Sequence, residues 1–363
     1  MKLIHIADPH LGAVPDSGFP WSADRARALW QTFSQAVSRA EEEQADLLLI
    51  AGDLFHRQPL KRELKEVNAL FSRLTHTRVV LIAGNHDYIS ASSNYRQFSW
   101  CPQVIFFRES RLQRVLFPEL NTAVYGRSYH SREDTAPLYP WRPIEDDGTI
   151  RILLAHGGDE KHCPYNRKEL SRAGFHYVAL GHIHKPDSVF SDHVVNPGAL
   201  EPIDSNDLGP HGYVIAEVTR EQADIRWVPC ASAEYVPLTF TVTPETTGMV
   251  LADQIRQAVA QKGLNHIYKI TLAGRRDPDI TFSRSALDPS WRVLEFHDTT
   301  EPDYHFDQLA REHTDDLIGA YIRAFQAEQE ESPSGPASSS REEEVRDKAL
   351  YYGTKALLDT MKN

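Results

Sequence analysis

Acidic, histidine and asparagine side chains recur in five short clusters along the first half of the chain. In order, the clusters are Asp8-Pro9-His10, Gly52-Asp53, Gly84-Asn85-His86-Asp87, His156-Gly157-Gly158 and Gly181-His182-Ile183-His184. Imidazole, carboxylate and amide groups without a thiolate suit Mn, Fe or Zn. One such cluster is also typical of an ordinary turn, but five in series predict a metal centre. The candidate ligands are Asp8, His10, Asp53, Asn85, His156, His182 and His184.

Seven ligands exceed the needs of one tetrahedral ion and favour two divalent ions that share one carboxylate. Two such ions about 3.5–4 Å apart clamp the attacking and leaving oxygens of a phosphoryl displacement. His86 directly follows Asn85, so we expect its ring to reach the substrate phosphate or the leaving oxygen. Asp87 is expected to fix the orientation of that ring. The alternative is that His86 is an eighth ligand or a turn residue.

Each cluster follows a short apolar run bounded by turn residues, which predicts a buried strand. The runs cover residues 3–7, 47–51, 79–83, 152–155 and 177–180. Two helical patterns lie between the first three runs, one from Ser22 onward with Ser22 as its expected N-cap, and one through residues 60–74. Strands that alternate with helices predict an α/β fold, in which ligands bind beyond the carboxyl ends of the strands.

Size, charge and cysteine content restrict the class of protein. The 363 residues predict two or three domains. The net charge of -12 argues against a protein that holds nucleic acid through bulk positive charge, although bound cations would offset part of it. Cys101, Cys163 and Cys230 are odd in number and widely spaced, which predicts a reducing cytoplasm. We expect no membrane helix, because no run of 18 or more apolar residues is present.

The five clusters resemble, in this order, the signatures of the calcineurin-like metallophosphoesterases: DPH, GDLFH, GNHD, a single histidine and GHIH. They span residues 8–184, about half of the chain. The resemblance implies a two-sheet sandwich flanked by helices. It also implies two ligand sets that share Asp53: Asp8, His10, Asp53 and His184 for one metal, and Asp53, Asn85, His156 and His182 for the other.

A narrower resemblance is to the SbcD-type DNA repair exonuclease subunits, whose usual opening is similar to KLIHIADPHLG in this chain. The second cluster ends in Phe55-His56, and the nuclease branch often has a histidine there that helps to place the DNA strand. The alternative role for His56 is a hydrogen bond that supports the ligands. The resemblance implies a Mn-dependent DNA exonuclease and endonuclease that works with a separate SbcC-type ABC ATPase. It also implies a homodimer.

The chain is expected to contain three parts. Further strands at residues 189–195, 212–218, 225–228 and 236–242 would complete the second sheet of a metallophosphoesterase domain at residues 1–236. A boundary rich in Thr and Pro then leads to an α+β unit at residues 237–300. The resemblance identifies this unit as a small capping domain that helps to select DNA.

The third part, residues 301–363, predicts two amphipathic C-terminal helices joined by a flexible linker at about 331–340. Such helices have little core of their own. The resemblance implies that they hold the coiled-coil root of the ATPase, which is a common mode of helix recognition. The alternative is that they dock on the catalytic domain of the same chain.

Two other functions stay open. One is a stand-alone phosphodiesterase or phosphatase acting on small nucleotides, against which the long C-terminal extension argues. The other is a non-catalytic scaffold subunit whose metal site supports folding, against which the complete ligand set argues.

Overall fold

A computed structural model of the chain describes residues 1–138, 144–190, 192–286, 290–331 and 340–361. The chain divides into two compact units. The first contains Met1–Pro237, Lys262–Lys269 and Ser290–Glu295, and the second contains Leu238–Gln261, Ile270–Pro289 and Phe296–Asn363. The linker expected at about 331–340 falls on residues 332–339, which lie outside the described residues.

The strands and helices are as follows in chain order. The strands are β1 (Lys2–Ile6), β2 (Leu47–Ala51), β3 (Arg78–Ile82), β4 (Val104–Phe107), β5 (Gln113–Phe117), β6 (Thr122–Gly126), β7 (Ile150–His156), β8 (Tyr177–Gly181), β9 (Val194–Val195), β10 (Gly212–Val218), β11 (Ala223–Pro229), β12 (Tyr235–Val242), β13 (Ile267–Arg276), β14 (Val293–Asp298) and β15 (Glu301–Pro302). The helices are α1 (Ser22–Glu42), α2 (Lys61–Phe71), α3 (Arg167–Leu170), α4 (Gly248–Lys262), α5 (Phe306–Glu312), α6 (Leu317–Glu331) and α7 (Ser340–Met361).

Two sheets build the first unit. One has the strand order β11-β10-β1-β2-β3-β4, and its strands β1 to β4 run parallel. The other has the order β5-β6-β7-β8-β9, with β6 to β9 parallel. The central parallel strands β2 and β7 are buried on both faces, which explains why they appear in the sequence as continuous apolar runs.

The two sheets pack against each other through alternate residues of their strands. Leu47 and Leu49 of β2 share a buried core with Leu154 of β7. The neighbouring residues point to the opposite faces, as the two-residue repeat of a strand requires. Ile50 therefore joins a core that includes residues of α1 and α2, and Leu153 joins another on the outer face of the second sheet. The expected two-sheet α/β sandwich flanked by helices is confirmed.

The two early helices begin differently from the expectation. Ser22 is the first residue of α1 rather than its N-cap, and its hydroxyl donates to the carbonyl of Pro15. At α2, the carboxylate of Glu63 accepts the backbone N–H of Leu60 at 2.8 Å and so satisfies one unpaired donor of the first turn. The prediction of a Ser22 cap is wrong because the loop before it uses the hydroxyl as a donor.

The strands beyond residue 184 do not all join the sheet to which they were assigned. Only β9 adds to the second sheet, whereas β10 and β11 extend the first, because β10 pairs antiparallel with β1. β12 belongs to a third sheet with β13 and β14, in which β15 pairs with β13. Apolar alternation predicts a strand but does not specify its partner, and the sheet assignment was wrong for that reason.

The second unit contains the C-terminal helices. Ile318 and Ile322 of α6 are buried against Ala310 of α5, with Leu350 and Leu357 of α7 packed around them. These helices therefore share a small apolar core, although the sequence predicted little core of their own. Among the described residues, no helix has both the length and the apolar composition needed to cross a bilayer.

Candidate metal centre

The predicted ligands meet at one edge of the sandwich, where the carboxyl ends of parallel strands from both sheets come together. Asp8 and His10 follow β1, Asp53 follows β2, Asn85 follows β3, His156 ends β7, and His182 and His184 follow β8. Nε2 of His10 lies 3.0 Å from Nε2 of His184. Nε2 of His156 lies 2.9 Å from Oδ1 of Asn85. The structure thus brings all seven side chains together.

Asp53 lies between two groups of these side chains. The ligand atoms of Asp8, His10 and His184 are within 4.8 Å of one another, and so are those of Asp8, Asp53 and His156. Oδ2 of Asp53 is 3.8 Å from Nε2 of His10 and 3.4 Å from Nε2 of His156. This is the place that a carboxylate shared by two ions would occupy.

One buried carboxylate oxygen of the site has no hydrogen-bond partner within the part of the chain that the structure describes. Oδ2 of Asp8 accepts the backbone N–H of His182 at 2.9 Å, but Oδ1 is buried and unpaired. An unpaired buried carboxylate oxygen is costly unless a cation neutralises it. Asp8 therefore fits a metal ligand.

The facing atoms of His156 and Asn85 fit a cation for a second reason. The carbonyl oxygen of Ala51 accepts the hydrogen on Nδ1 of His156 at 2.8 Å, so Nε2 is the ring nitrogen that faces the site. Nε2 lies 2.9 Å from Oδ1 of Asn85, which is an acceptor. This pair of atoms favours a positive charge at Nε2, either as a proton on the ring or as a bound cation.

Burial and charge shift the titration of the cluster. Burial raises the pKa of Asp8 to about 6, although the charges of His156 and His184 act to lower it. Burial also acts to raise the pKa of Asp53, but the neighbouring histidines lower it below its ordinary value. Burial acts to lower the pKa of His156, but the charge of Asp53 and its hydrogen bond, together with the charge of Asp8 and the Ala51 carbonyl, raise it to about 9. The carboxylates thus demand a compensating positive charge, which bound metal would supply.

Four candidate ligands have a left-handed backbone conformation that non-glycine residues rarely adopt. The φ angles are 50° at Asp8, 45° at His10, 47° at Asp53 and 101° at His182. Each such residue costs about 1–3 kcal/mol, and such strain concentrates at functional sites. The sharp turn after each strand aims these side chains at the common centre.

Glycines in the motifs leave room for the ligands. A Cβ on Gly52 would lie 2.4 Å from Nδ1 of His156, and a Cβ on Gly84 would lie 2.2 Å from Oδ1 of Asp53. Both distances are too short for any side chain. Close packing therefore requires glycine at both positions, and at Gly52 the positive φ of 90° favours glycine as well.

His56 and His86 lie together beside His10. Their rings stack with centroids 5.1 Å apart, and the ring of His86 meets that of His10 edge to face at 4.9 Å. Nδ1 of His86 donates to the carbonyl of His56 at 3.1 Å. This carbonyl orients the His86 ring, the role that had been expected of Asp87. The carboxylate of Asp87 is buried and accepts instead from Gly84 N–H, Phe55 N–H and the Tyr95 hydroxyl.

Two aspartates that the sequence analysis missed contact the outer nitrogens of the GHIH histidines. Oδ2 of Asp159 lies 2.8 Å from Nε2 of His182, and Oδ2 of Asp207 lies 3.0 Å from Nδ1 of His184. Both aspartates are on loops where this residue type is common. Neither directly follows a strand in the pattern that marked the other residues, so that pattern could not identify them.

The sandwich and its edge of histidines and carboxylates define a metallophosphoesterase. The family described as calcineurin-like phosphoesterase matches residues 1–186, about half of the chain, and the chain belongs to that family. The family uses a dinuclear metal site, and the His and Asp groups brought together here are suited to one.

Two curated proteins are similar to this chain. The uncharacterized metallophosphoesterase YhaO of Bacillus subtilis (strain 168) is 30% identical over 242 residues, which cover 60% of this chain and 58% of that protein. The DNA double-strand break repair protein Mre11 of Haloferax volcanii is 28% identical over 239 residues, which cover 62% of this chain and 51% of that protein. The chain therefore spans little more than half the length of these relatives.

A solved structure, that of TT1561 of Thermus thermophilus, covers 62% of this chain and 97% of its own, with 12% identity and a TM-score of 0.37. This likeness is too low to bear on the fold or the function.

Proposed function

We propose that the chain is a dinuclear-metal phosphodiesterase, and more specifically a Mn-dependent DNA exonuclease and endonuclease subunit that acts in DNA repair with an SbcC-type ATPase. The observation that carries the proposal is Asp53, whose Oδ2 lies between the imidazoles of His10 and His156. The unpaired Oδ1 of Asp8 supports it. Four imidazoles, two carboxylates and one amide suit Mn, with Fe or Zn as alternatives.

The proposed metal set is Asp8, His10, Asp53, Asn85, His156, His182 and His184. When bound, two divalent cations polarise a phosphoryl oxygen and lower the pKa of a bound water toward neutrality. The protein's own contribution is to hold these ligands on strained turns, so that little reorganisation is needed on binding.

His86 is the proposed proton donor to the leaving oxygen. Its Nδ1–H donates to the carbonyl of His56, so in the doubly protonated ring Nε2 carries the proton that passes to the leaving oxygen as the bond between that oxygen and phosphorus breaks. The ring of His56 stacks on that of His86, and we propose that it positions the scissile phosphate. Asp87 acts behind both, by holding the turns at Gly84 and Phe55.

DNA is the proposed substrate because the chain is similar to a protein described as a DNA double-strand break repair protein. The test is degradation of linear duplex DNA by the purified chain in Mn²⁺, with EDTA and His86→Ala as controls. Progressive shortening that both controls abolish supports the nuclease. Intact DNA beside rapid hydrolysis of a small phosphodiester would favour a stand-alone enzyme for small nucleotides. Binding of metal in stoichiometric amounts without hydrolysis of DNA or of the small phosphodiester would favour a scaffold subunit.

The ATPase partnership is proposed for the C-terminal helices. Val345, Tyr352 and Met361 of α7 and Leu317 of α6 are large apolar side chains left exposed, at 53–68% of their surface. We expect Val345→Glu with Met361→Glu to abolish co-purification of an SbcC-type ATPase while hydrolysis of a small diester stays unchanged. Unchanged co-purification would contradict this assignment. A homodimer remains part of the proposal, and light scattering of the purified chain tests it.

The three-part organisation also remains a proposal, with a nuclease domain at 1–236, a capping domain at 237–300 and C-terminal helices at 301–363. A cytoplasmic location is proposed because all three cysteines are free.

A further inference from the structure

Two carboxylates contact the GHIH histidines on the side away from the other ligands. We propose that Asp159 and Asp207 are positioning residues that determine which ring nitrogen His182 and His184 present to the metal centre, and that each aspartate acts on a different ion. This inference rests on the proposed two-metal function and extends it to residues outside the motifs.

His184 is fixed by Asp207. Oδ2 of Asp207 is 3.0 Å from Nδ1 of His184 and also accepts the backbone N–H groups of Ile203 at 3.0 Å and Asp204 at 3.1 Å. An ionised carboxylate only accepts, so the hydrogen of the His184 ring must be on Nδ1. Nε2 is left with the lone pair, and Nε2 is the atom 3.0 Å from His10 in the site.

His182 is fixed by Asp159 with the opposite choice of nitrogen. Oδ2 of Asp159 is 2.8 Å from Nε2 of His182, so that nitrogen carries the hydrogen. Nδ1 keeps the lone pair, and it lies 3.2 Å from Oδ1 of Asn85 in the site. Asp159 is itself held by the backbone N–H groups of Lys161 and His162 and by Nδ1 of the His162 ring at 2.9 Å.

The tautomer decides which nitrogen of a neutral histidine can bind a metal. A ring that turned its N–H toward the centre would present a hydrogen where the cation needs a lone pair. Carboxylates that hold the outer nitrogen of a ligand histidine typically change metal affinity by about 10–100-fold. The two histidines of one short motif present different nitrogens to the site, and each has its own carboxylate on the outer nitrogen.

The two aspartates act on different groups of ligands. His184 belongs with Asp8 and His10, whereas His182 is next to Asn85, which in turn faces His156. The side chain of Asp207 is 13% exposed and that of Asp159 is 47% exposed. Water competes more strongly for the exposed carboxylate, so we expect the larger effect from Asp207.

The test compares Mn²⁺ binding by the full chain and its variants, using calorimetry and the electron paramagnetic resonance signal of paired and single Mn²⁺. The wild type is expected to bind two ions. Asp207→Asn and Asp159→Asn should each weaken one of the two binding events by about 10-fold or more, with alanine toward about 100-fold. Each variant should replace the signal of the paired ions by that of a single ion at low Mn²⁺, and the double variant should weaken both events.

Matched controls remove the same charge from the same loops. Glu160→Gln changes the residue next to Asp159. Asp204→Asn keeps the backbone N–H that Asp207 accepts and changes only the carboxylate that accepts the Asn206 N–H. Both should bind two ions as the wild type does. Thermal unfolding of each variant separates loss of the fold from loss of the ligand geometry, and asparagine keeps the shape and one acceptor oxygen.

Wild-type binding of two ions together with unchanged affinity in Asp159→Ala and Asp207→Ala would overturn this inference and leave the proposed function intact. Binding of no Mn²⁺, Fe²⁺ or Zn²⁺ by the wild type would overturn the proposed function itself, and the inference with it. Equal weakening of both events by each single variant would overturn the assignment of one aspartate to one ion.

Discussion

The hydroxyl of Tyr95 donates to Oδ2 of Asp87 at 2.8 Å, and both side chains are fully buried. The same carboxylate accepts the backbone N–H of Gly84 at 2.8 Å and of Phe55 at 3.2 Å. Asp87 therefore joins the turn after β3, which carries Asn85, to the turn after β2, which carries Asp53. Tyr95 therefore supports the metal centre indirectly, because its hydroxyl contacts Asp87 and not one of the proposed ligands.

Tyr95→Phe is expected to lower the free energy of unfolding by about 1–3 kcal/mol, because it removes one donor from a buried carboxylate. Burial already raises the pKa of Asp87 to about 7, and the Tyr95 hydroxyl opposes that rise. Denaturant unfolding measures the loss, and Mn²⁺ titration should show weaker binding. Tyr268→Phe, which loses a partly buried hydrogen bond from the tyrosine hydroxyl to the Gly263 carbonyl, is the control for stability alone. Equal metal affinity in both variants would contradict a link between Tyr95 and the site.

Gly52→Ala is expected to abolish metal binding, because the added Cβ would lie 2.4 Å from Nδ1 of His156. Gly18→Ala is a matched control, since Gly18 has φ of 93° against 90° at Gly52 and nothing lies within 4 Å of its added Cβ. Both variants place a Cβ at nearly the same positive φ, so the difference between them reports mainly on the contact with His156. Metal stoichiometry and thermal unfolding of the two proteins provide the comparison. Similar losses in both would show that backbone strain, rather than the contact, is decisive.

His86→Ala is expected to keep both metal ions and to lose about 10²–10⁴-fold in the rate of diester hydrolysis, because the proton donor is gone. Its Nδ1 donates to the His56 carbonyl and its ring meets that of His10 edge to face, so the substitution deletes none of the seven proposed ligands, which is why metal binding should survive. Metal content and single-turnover rates of the same preparation separate the two effects. A collapse of metal affinity would make His86 a ligand and would require a different proton donor.

The strand ends were predictable from the sequence because a buried parallel strand is a continuous apolar run and the residue after it must turn. β2 begins and ends at the predicted residues, and Asp53 follows it as expected. Which residues Asp8 and His182 contact depends on how strands from distant segments pair, and the turn pattern does not encode that pairing. Asp159 and Asp207 were missed for the same reason, since their role exists only after two loops fold back over the GHIH turn.

Asp87 shows a second limit of the sequence. Its neighbour in the chain is His86, and adjacency suggested that it holds the His86 ring. The backbone turn instead directs its carboxylate inward, to the N–H groups of Gly84 and Phe55. A side chain next to a site in sequence can thus face the core, and only the backbone conformation of the turn decides between these directions.

Glu41→Gln is expected to reduce stability above pH 4.5 and to have a vanishing effect as the pH falls toward 2. The Glu41 carboxylate accepts the backbone N–H groups of Thr75, His76 and Thr77 and the Thr75 hydroxyl. Burial acts to raise its pKa, but these hydrogen bonds lower it to about 2, below its ordinary 4.5. Because the folded pKa is the lower one, the contribution is complete above 4.5 and is lost as the pH falls through 2.

Urea unfolding of the wild type and Glu41→Gln at several pH values between 7 and 2 measures this difference. Glu42→Gln removes the same charge from the next residue of α1, where the side chain is 63% exposed, and controls for net charge. The two wild-type-minus-variant curves should diverge above pH 4.5, with the larger loss in Glu41→Gln. These hydrogen bonds join Glu41, near the end of α1, to the segment before β3. A difference in unfolding free energy between wild type and Glu41→Gln that stays constant down to pH 2 would contradict their role, because the effect would then not depend on the ionised carboxylate.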